Sequence, residues 1–361
     1  MLRGLIKTGV ASAVHWSGTD NLLALRPAVK QLPLVLGYHR VVENFRSSAA
    51  YSIAPMLISA RTFERQLDWI GRRFEFVGLD DLADGLEGKK RFRKPVAAVT
   101  FDDGYVDVYR HAFPLLQRKG IPWAMFVVTD RLGTASLQTY DELYLLLVNG
   151  FARWREPRRY LHRLLLGAEI PVPILKKLDE NCGGPVRSAW TLMENLSQRE
   201  MRRVVTALCE EGEIPAAATA ELGTMSWEML REMAQAGVTV GSHTRTHPYL
   251  TRESWNRVLD ETRGSRTELQ TRLGVNIDHF TYPSGAFDSG VVSAVAASGY
   301  RCAYTACQHR DARYPQLTIP RRLLWENSSM SSFSQFSGAV MSCQVNGVFD
   351  FVPSCRQAHS F

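Results

Sequence analysis

A rhythm in the chain constrains its fold more than any single residue does. Short apolar, strand-like runs alternate with helical faces. Leu32 to Tyr38 (LPLVLGY) precedes FERQLDWIGRRF, which is apolar at Phe63, Leu67 and Ile70 with charges between. FEFVGLDDLADGL follows, then a strand over Val96 to Phe101, a helix over Val108 to Arg118 closed by Gly120, and the buried strand IPWAMFVVT. Strands separated by helices must run parallel with helical crossovers, so the class is α/β, as a barrel or a doubly wound sheet. From about Arg131 to Met225 the pattern is helical throughout, which predicts an inserted helical subdomain. The rhythm resumes with SWEMLREMAQAG (helix), VTVGSH (strand), a long helix around Arg252 to Leu273, IDHFTYP (strand), SGVVSAVAASG (helix), and the strands YRCAYTA and LTIPRRLLW. The expected plan is an N-terminal helical segment (1–30), a first part of the α/β body (31–130), the insertion (131–225), a second part of the body (226–326) and a Ser-rich C-terminal tail (327–361).

The 361 residues, 45% hydrophobic and 22% charged, suffice for a large core. A net charge of +7 suits an acidic polymer, a membrane surface or nucleic acid. Nucleic acid is set aside, because no zinc-finger spacing, RNP-type strand or aromatic–basic ladder accompanies the charge. The basic run Arg153, Arg155, Arg158, Arg159 and Arg163 reads as a solvated helical face, with an anionic glycan or lipid headgroup as the functional alternative. Six scattered cysteines without a C-x-x-C pair favour a reducing compartment. The basic, briefly apolar N-terminus is interrupted by His15, Ser17 and Asp20 before it resembles a secretory signal, and no run of eighteen apolar residues occurs. The expectation is a cytoplasmic protein, peripheral to the inner membrane, with export as the alternative. The first helix is expected to lie on the barrel.

Two stretches carry chemistry. In PVAAVTFDDGY an apolar strand ends in Asp102 and Asp103, where the active sites of parallel α/β folds lie. A helix cap would need only one aspartate, and adjacent strand residues point to opposite faces. In SHTRTHPYL, His243 and His247 stand four apart at another strand end. A helical turn there would bring two imidazole nitrogens to one point, and with one carboxylate they would leave room for water and substrate on a metal. Each histidine alone would read equally well as a core or surface residue.

TFDDGY, SHTRTHPYL and the later FTYPSG resemble, in order, the signature motifs of the polysaccharide deacetylases, the NodB-homology carbohydrate esterases. The resemblance runs from Leu34 to about Leu324, interrupted by the insertion. It implies a distorted (β/α) barrel of about seven parallel strands that binds one divalent metal. Zinc is expected first, with cobalt, nickel or iron as alternatives. The implied reaction removes N-acetyl groups from an N-acetylhexosamine-containing polysaccharide or its precursor, by attack of a metal-bound water on the acetamide. Carried over, Asp102 is the general base, and Asp103, His243 and His247 are the metal ligands. Many members have an arginine in the third motif to orient the base, where this chain has Thr281; Arg321 or Arg322 is expected to supply that cation. Many also carry a proton-donating histidine near the C-terminus. Here the first strand instead ends in His39, which resembles the circularly permuted branch typified by poly-N-acetylglucosamine deacetylases and makes His39 the general acid, ahead of His279 and His309. The backbone N–H of Tyr105 is the expected oxyanion donor, Gly104 allows close approach of substrate, and Tyr282, Pro283 and Gly285 are expected at the rim around the acetyl group. Trp227 is assigned to the core. The expected partners are an N-acetylated glycan and membrane or polysaccharide-synthesis neighbours. Two further readings are hydrolysis of a different non-peptide C–N bond and a degenerate glycan-binding protein.

Overall fold

The computed structural model describes residues 2–18, 33–180 and 183–349. The strands are β1 (Leu34–Tyr38), β2 (Arg40–Val42), β3 (Leu57–Ser59), β4 (Glu75–Phe76), β5 (Val96–Phe101), β6 (Trp123–Val127), β7 (Thr239–Ser242), β8 (His279–Thr281), β9 (Cys302–Thr305), β10 (Ile319–Pro320) and β11 (Arg322–Leu323). The main sheet is parallel in the order β10-β9-β8-β7-β6-β5-β1-β11, with the short β4 beside β5. β2 pairs with β3 apart from it. The predicted single strand LTIPRRLLW is split at Arg321: its first half pairs with β9 and its second with β1. One broken strand thus joins both ends of the sheet into a nearly closed (β/α) barrel.

All six residues of β5 are buried, as expected of a parallel strand covered on both faces. The two-residue strand period sorts the core. Val35, Ala98, Ala124, Phe126, Tyr304 and Ile319 share the interior, which helix Leu79–Leu86 plugs from below. Leu36, Val99, Phe101 and Met125 face the outer helices. Continued to the strand ends, the interior parity carries His39, Asp102, His243, Thr281 and Arg321 to the barrel mouth. Space there is tight. A Cβ on Gly241 would stand 2.4 Å from the Phe126 ring, and one on Gly37 would stand 3.5 Å from the Arg321 guanidinium.

Between β6 and helix Trp227–Gln235 the described residues form six α-helices after a short 3-10 turn, Thr129–Arg131. They enclose their own apolar cluster, including Leu143, Leu147, Leu165, Leu192 and Val204. Helix Thr139–Arg153 lies at its centre, against Pro185–Asn195 and Gln198–Glu211. Trp227 is in the barrel core, its ring under the Arg272 guanidinium. The segment expected to be a tail packs on the body within its described residues, 327–349. Glu326 accepts from the Ser59 N–H at 2.7 Å and the Thr62 hydroxyl at 2.8 Å, and helix Gly338–Val345 covers helix Leu2–Trp16. The first helix therefore rests, through Ala11, on Val340 and Cys343. The rest of the expected 1–30 segment, with Cys182 and Cys355, lies outside the described residues. Cys209 is an exposed free thiol and Cys302 a buried one. No described helix is long and apolar enough to cross a membrane.

Candidate metal centre and active site

Asp102 extends β5 by one residue, its N–H donating to the Tyr38 carbonyl at 3.0 Å. Its carboxylate points into the barrel and is gripped by Arg321 through two bonds, of 2.8 and 2.6 Å. Arg321 also donates to Thr100 Oγ1 at 3.1 Å. Both partners are about 97% buried, a setting in which a fork-to-fork pair is at its strongest. Burial alone would raise the Asp102 pKa, but the Arg321 guanidinium, helped by His243 and His39, holds it well below the usual carboxylate range. Of the two candidate arginines, the strand break turns Arg321 inward; Arg322 sits on β11, half-buried.

Asp103 leaves the strand line. Its φ of +74° is unusual for a residue with a Cβ, and Gly104 follows at +82°. The two aspartates therefore diverge through a left-handed turn as well as through strand alternation. The Gln138 amide donates to the Asp103 carbonyl at 3.0 Å and holds this turn. The Asp103 carboxylate faces His243 Nε2 at 3.5 Å and His247 Nε2 at 3.6 Å. One donor atom from each of the three residues lies within 4.8 Å of the others.

The histidine segment is a loop, not the helical turn that the spacing suggested. Thr244 (φ +69°) and His247 (φ +59°) are both left-handed, and Thr244 Oγ1 accepts the His247 N–H at 2.9 Å. His243 Nδ1 lies 2.9 Å from the Thr281 carbonyl and 2.5 Å from its hydroxyl. We assign the proton to Nδ1, donated to that carbonyl, which leaves the Nε2 lone pair facing Asp103. Thr281, at the position where an arginine was expected, thus orients a histidine, while Arg321 orients the base.

The three residues fit a divalent cation. Neither oxygen of the buried Asp103 carboxylate has a hydrogen-bond partner among the described residues. Burial and the neighbouring Asp102 charge push its pKa well above the ordinary value, only partly offset by the nearby Tyr140 hydroxyl. Burial pushes His243 down and His247 further down, so both imidazoles are neutral at neutral pH. Two neutral nitrogens converging on an unpartnered carboxylate make a donor set suited to one such ion.

The other expected residues divide. His39 is half-buried at the mouth, coupled electrostatically to Asp102, Arg321 and His243. The Tyr105 side chain is wholly buried toward the insertion, so only its backbone could meet a substrate. Gly104 packs against Val127 and Leu132 at the turn. The expected place of Tyr282 on the rim is corrected: its ring is buried beside Phe280 and Phe287, and its hydroxyl donates to the Leu317 carbonyl at 2.8 Å. Pro283 and Gly285 are buried in the same turn, and left-handed Ser284 is the residue that reaches a cavity beside His247. His279 lies deeper in the barrel, between Asp80 and Tyr304. His309 is exposed near Phe287.

Three residues carry no legible signal in the sequence: Gln138, Tyr140 and Glu261. Glu261 is fully buried and accepts from the N–H groups of Arg245 and Thr246 at 2.8 and 2.9 Å, from the Thr246 hydroxyl at 2.5 Å, and from Arg257 at 2.6 Å. It therefore braces the loop between the two histidines. It sits on a π-turn, Asp260–Gly264, within the predicted long helix, where a charged residue reads as solvent-facing. Glu261→Gln should weaken the bracing of the loop that carries both histidines and lower metal affinity by up to roughly 10-fold, the lower end for lost outer support of a metal site. A zinc titration of purified protein checks this, and unchanged affinity would remove Glu261 from the site.

The chain is thus a parallel (β/α) barrel whose mouth gathers Asp103, His243 and His247, a set that could hold one metal ion. Residues 89–152 and 185–303, half of the chain, match the family described as polysaccharide deacetylase, and the chain belongs to that family. It is 28% identical over 116 residues to a poly-beta-1,6-N-acetyl-D-glucosamine N-deacetylase of Staphylococcus aureus, and 28% over 122 residues to that of Staphylococcus epidermidis. These matches cover 30% and 32% of this chain, and about two fifths of the length of the curated relatives (40% and 42%). Among solved structures, the deacetylase PplD of Streptococcus pyogenes, in complex with acetate, superposes with a TM-score of 0.54 at 16% identity, covering 87% of this chain and 97% of that one. IcaB from Ammonifex degensii gives 0.53 at 20% identity, covering 87% and 96%. Both likenesses establish the fold.

Proposed function

We propose that the chain hydrolyses the acetamide of N-acetylhexosamine units in a polysaccharide or its precursor. The observation that carries this reading is a buried, partnerless Asp103 carboxylate facing His243 and His247, one residue away from an aspartate that Arg321 keeps ionised. A protein that only bound glycan would need neither a cation site nor an ionised base beside it. The substrate class is supported by the staphylococcal relatives, which are poly-beta-1,6-N-acetyl-D-glucosamine N-deacetylases.

A divalent ion held by Asp103, His243 and His247 would supply Lewis acidity, acidifying water and polarising the acetyl oxygen. Asp102 is placed to take the proton from the attacking water. Its ionised state is secured by Arg321, which also fixes the direction of the carboxylate. His39 begins neutral, brought down to about 4 by burial against the opposing pull of Asp102. The proton it delivers to the leaving amine is therefore one first received within the site. In the balanced reaction, the proton lost by water ends on the amine and the acyl group leaves as acetate. The Tyr105 backbone N–H is the nearest candidate to steady the developing oxyanion.

The test is acetate release from an N-acetylglucosamine oligomer, before and after treatment with a chelator. Release should be lost on chelation and restored by adding back zinc or a related ion. Release that persists through complete metal removal would overturn the reading.

A further inference from the structure

The helical insertion meets the metal-facing residues at the start of helix Thr139–Arg153, while Gln198, on a second helix of the insertion, donates to the Thr246 carbonyl beside His247 at 2.8 Å. Three of four consecutive residues at the start of Thr139–Arg153 reach the site. The Gln138 amide holds the Asp103 carbonyl at 3.0 Å. The Tyr140 ring lies 4.9 Å from the His247 ring, and its hydroxyl stands near Asp103 without forming a well-aligned hydrogen bond to it. The Tyr140 hydroxyl is 2.7 Å from that of Tyr105, and the Tyr105 hydroxyl donates to Asp141 Oδ2 at 2.5 Å. Gln138, Tyr140, Tyr105, Asp141 and Asp103 are each at most 5% exposed, so their arrangement is set by packing and not by solvent.

Proton counting gives the chain a direction. Tyr105 has one hydroxyl proton and gives it to Asp141, so its oxygen is left as an acceptor. Tyr140 then holds the only remaining hydroxyl proton of the pair, shared between the Tyr105 oxygen and the orphaned Asp103 carboxylate. Among the described residues, Asp141 Oδ1 and both Asp103 carboxylate oxygens have no well-aligned hydrogen bond, which marks the two ends of the network.

We propose that Tyr140, delivered by the insertion, is a positioning residue for the metal ligands Asp103 and His247, so that the insertion is part of the metal centre and not an appendage to the barrel. Its ring fixes the plane of His247, and its hydroxyl, anchored through Tyr105 to Asp141, sets the orientation of the Asp103 carboxylate. The proposal rests on the metal-site reading above, but not on the identity of the substrate.

The test is zinc binding by the full chain, measured by competition with a chromogenic chelator, beside thermal melting of the metal-free protein. Tyr140→Phe keeps the ring and removes the hydroxyl, and should weaken zinc binding about tenfold, the lower end for lost support of a ligand, while the metal-free protein stays folded and melts only slightly lower for the loss of one buried hydrogen bond. Tyr140→Leu also removes the ring beside His247 and should weaken binding further. Asp141→Asn replaces the charged acceptor at the far end of the network with a weaker, neutral one and should shift affinity in the same direction as Tyr140→Phe but by less, providing a second variant if either fails to fold. Wild-type affinity in both Tyr140→Phe and Asp141→Asn overturns the proposal, and so does a wild-type chain that binds no zinc. If the variants bind zinc more weakly but the wild type releases no acetate from glycan oligomers, the positioning role stands and the substrate reading alone falls.

Discussion

Replacing Arg321 with methionine should destabilise the protein by about 3–5 kcal/mol at neutral pH, because one partner of a buried ion pair is removed and the other charge is left uncompensated. Asp102 has no solvent to fall back on: it is 2% exposed, and both of its oxygens are engaged by the same guanidinium. The pH dependence identifies the cause. In the native protein Asp102 titrates well below its unfolded value of about 3.9, so its contribution is fully present above about pH 4 and is lost as the pH falls toward the native value. Without Arg321, burial dominates and the carboxyl titrates above 3.9, so the variant loses stability as the pH rises through that range. The gap between the two proteins should therefore be small near pH 3 and widen toward pH 7. Urea midpoints at three pH values measure it, and parallel curves would mean that the pair does not hold Asp102. Acetate release should fall sharply too, and Arg321→Lys should restore charge without the two-pronged grip and recover only part of both properties.

The sequence displayed those parts of the site whose partners are close in the chain. The Asp102–Asp103 doublet, the His243/His247 spacing and the strand ends that carry them are local patterns, and a two-residue period sends His39, Asp102, His243 and Thr281 toward one mouth once the strands are parallel. Periodicity likewise exposed β5, β6 and the C-cap at Gly120, which adopts φ +61°. What stayed hidden depends on contacts between distant segments. Arg321 and Arg322 were indistinguishable until a strand break turned one inward, 219 residues from its aspartate. Glu261 resembles any helical glutamate until a π-turn buries it under the histidine loop. Tyr282 misled because its proline-containing turn is at the site while its ring points into the core. Left-handed φ values at Asp103, Thr244, His247 and Ser284 concentrate backbone strain at the mouth, and no propensity scale anticipates a β-branched threonine in that conformation.

Asp103→Asn should have opposite effects on function and on metal-free stability. Asparagine tolerates the left-handed φ of +74°, so the turn survives while an anionic ligand is lost. Metal binding should collapse, and acetate release with it. Yet in the metal-free protein Asp103 is a buried carboxyl with no well-aligned hydrogen bond among the described residues; burial and the Asp102 charge raise its pKa well above normal, and the nearby Tyr140 hydroxyl offsets this only in part. A raised carboxyl destabilises the fold increasingly as the pH climbs above its unfolded value of about 3.9, because the unfolded chain ionises more readily. With chelator present, the variant should therefore melt above the wild type at pH 7, and the advantage should vanish near pH 3, where both side chains are neutral. Zinc reverses the order: an ion at one hundred times its dissociation constant stabilises the wild type by about 2.7 kcal/mol and leaves the variant unmoved. Paired melting curves with chelator and with zinc would show this crossing. A variant that melts below the wild type in chelator would mean that Asp103 has a stabilising partner in the protein itself, and the case for a cation among Asp103, His243 and His247 would lose its main physical support.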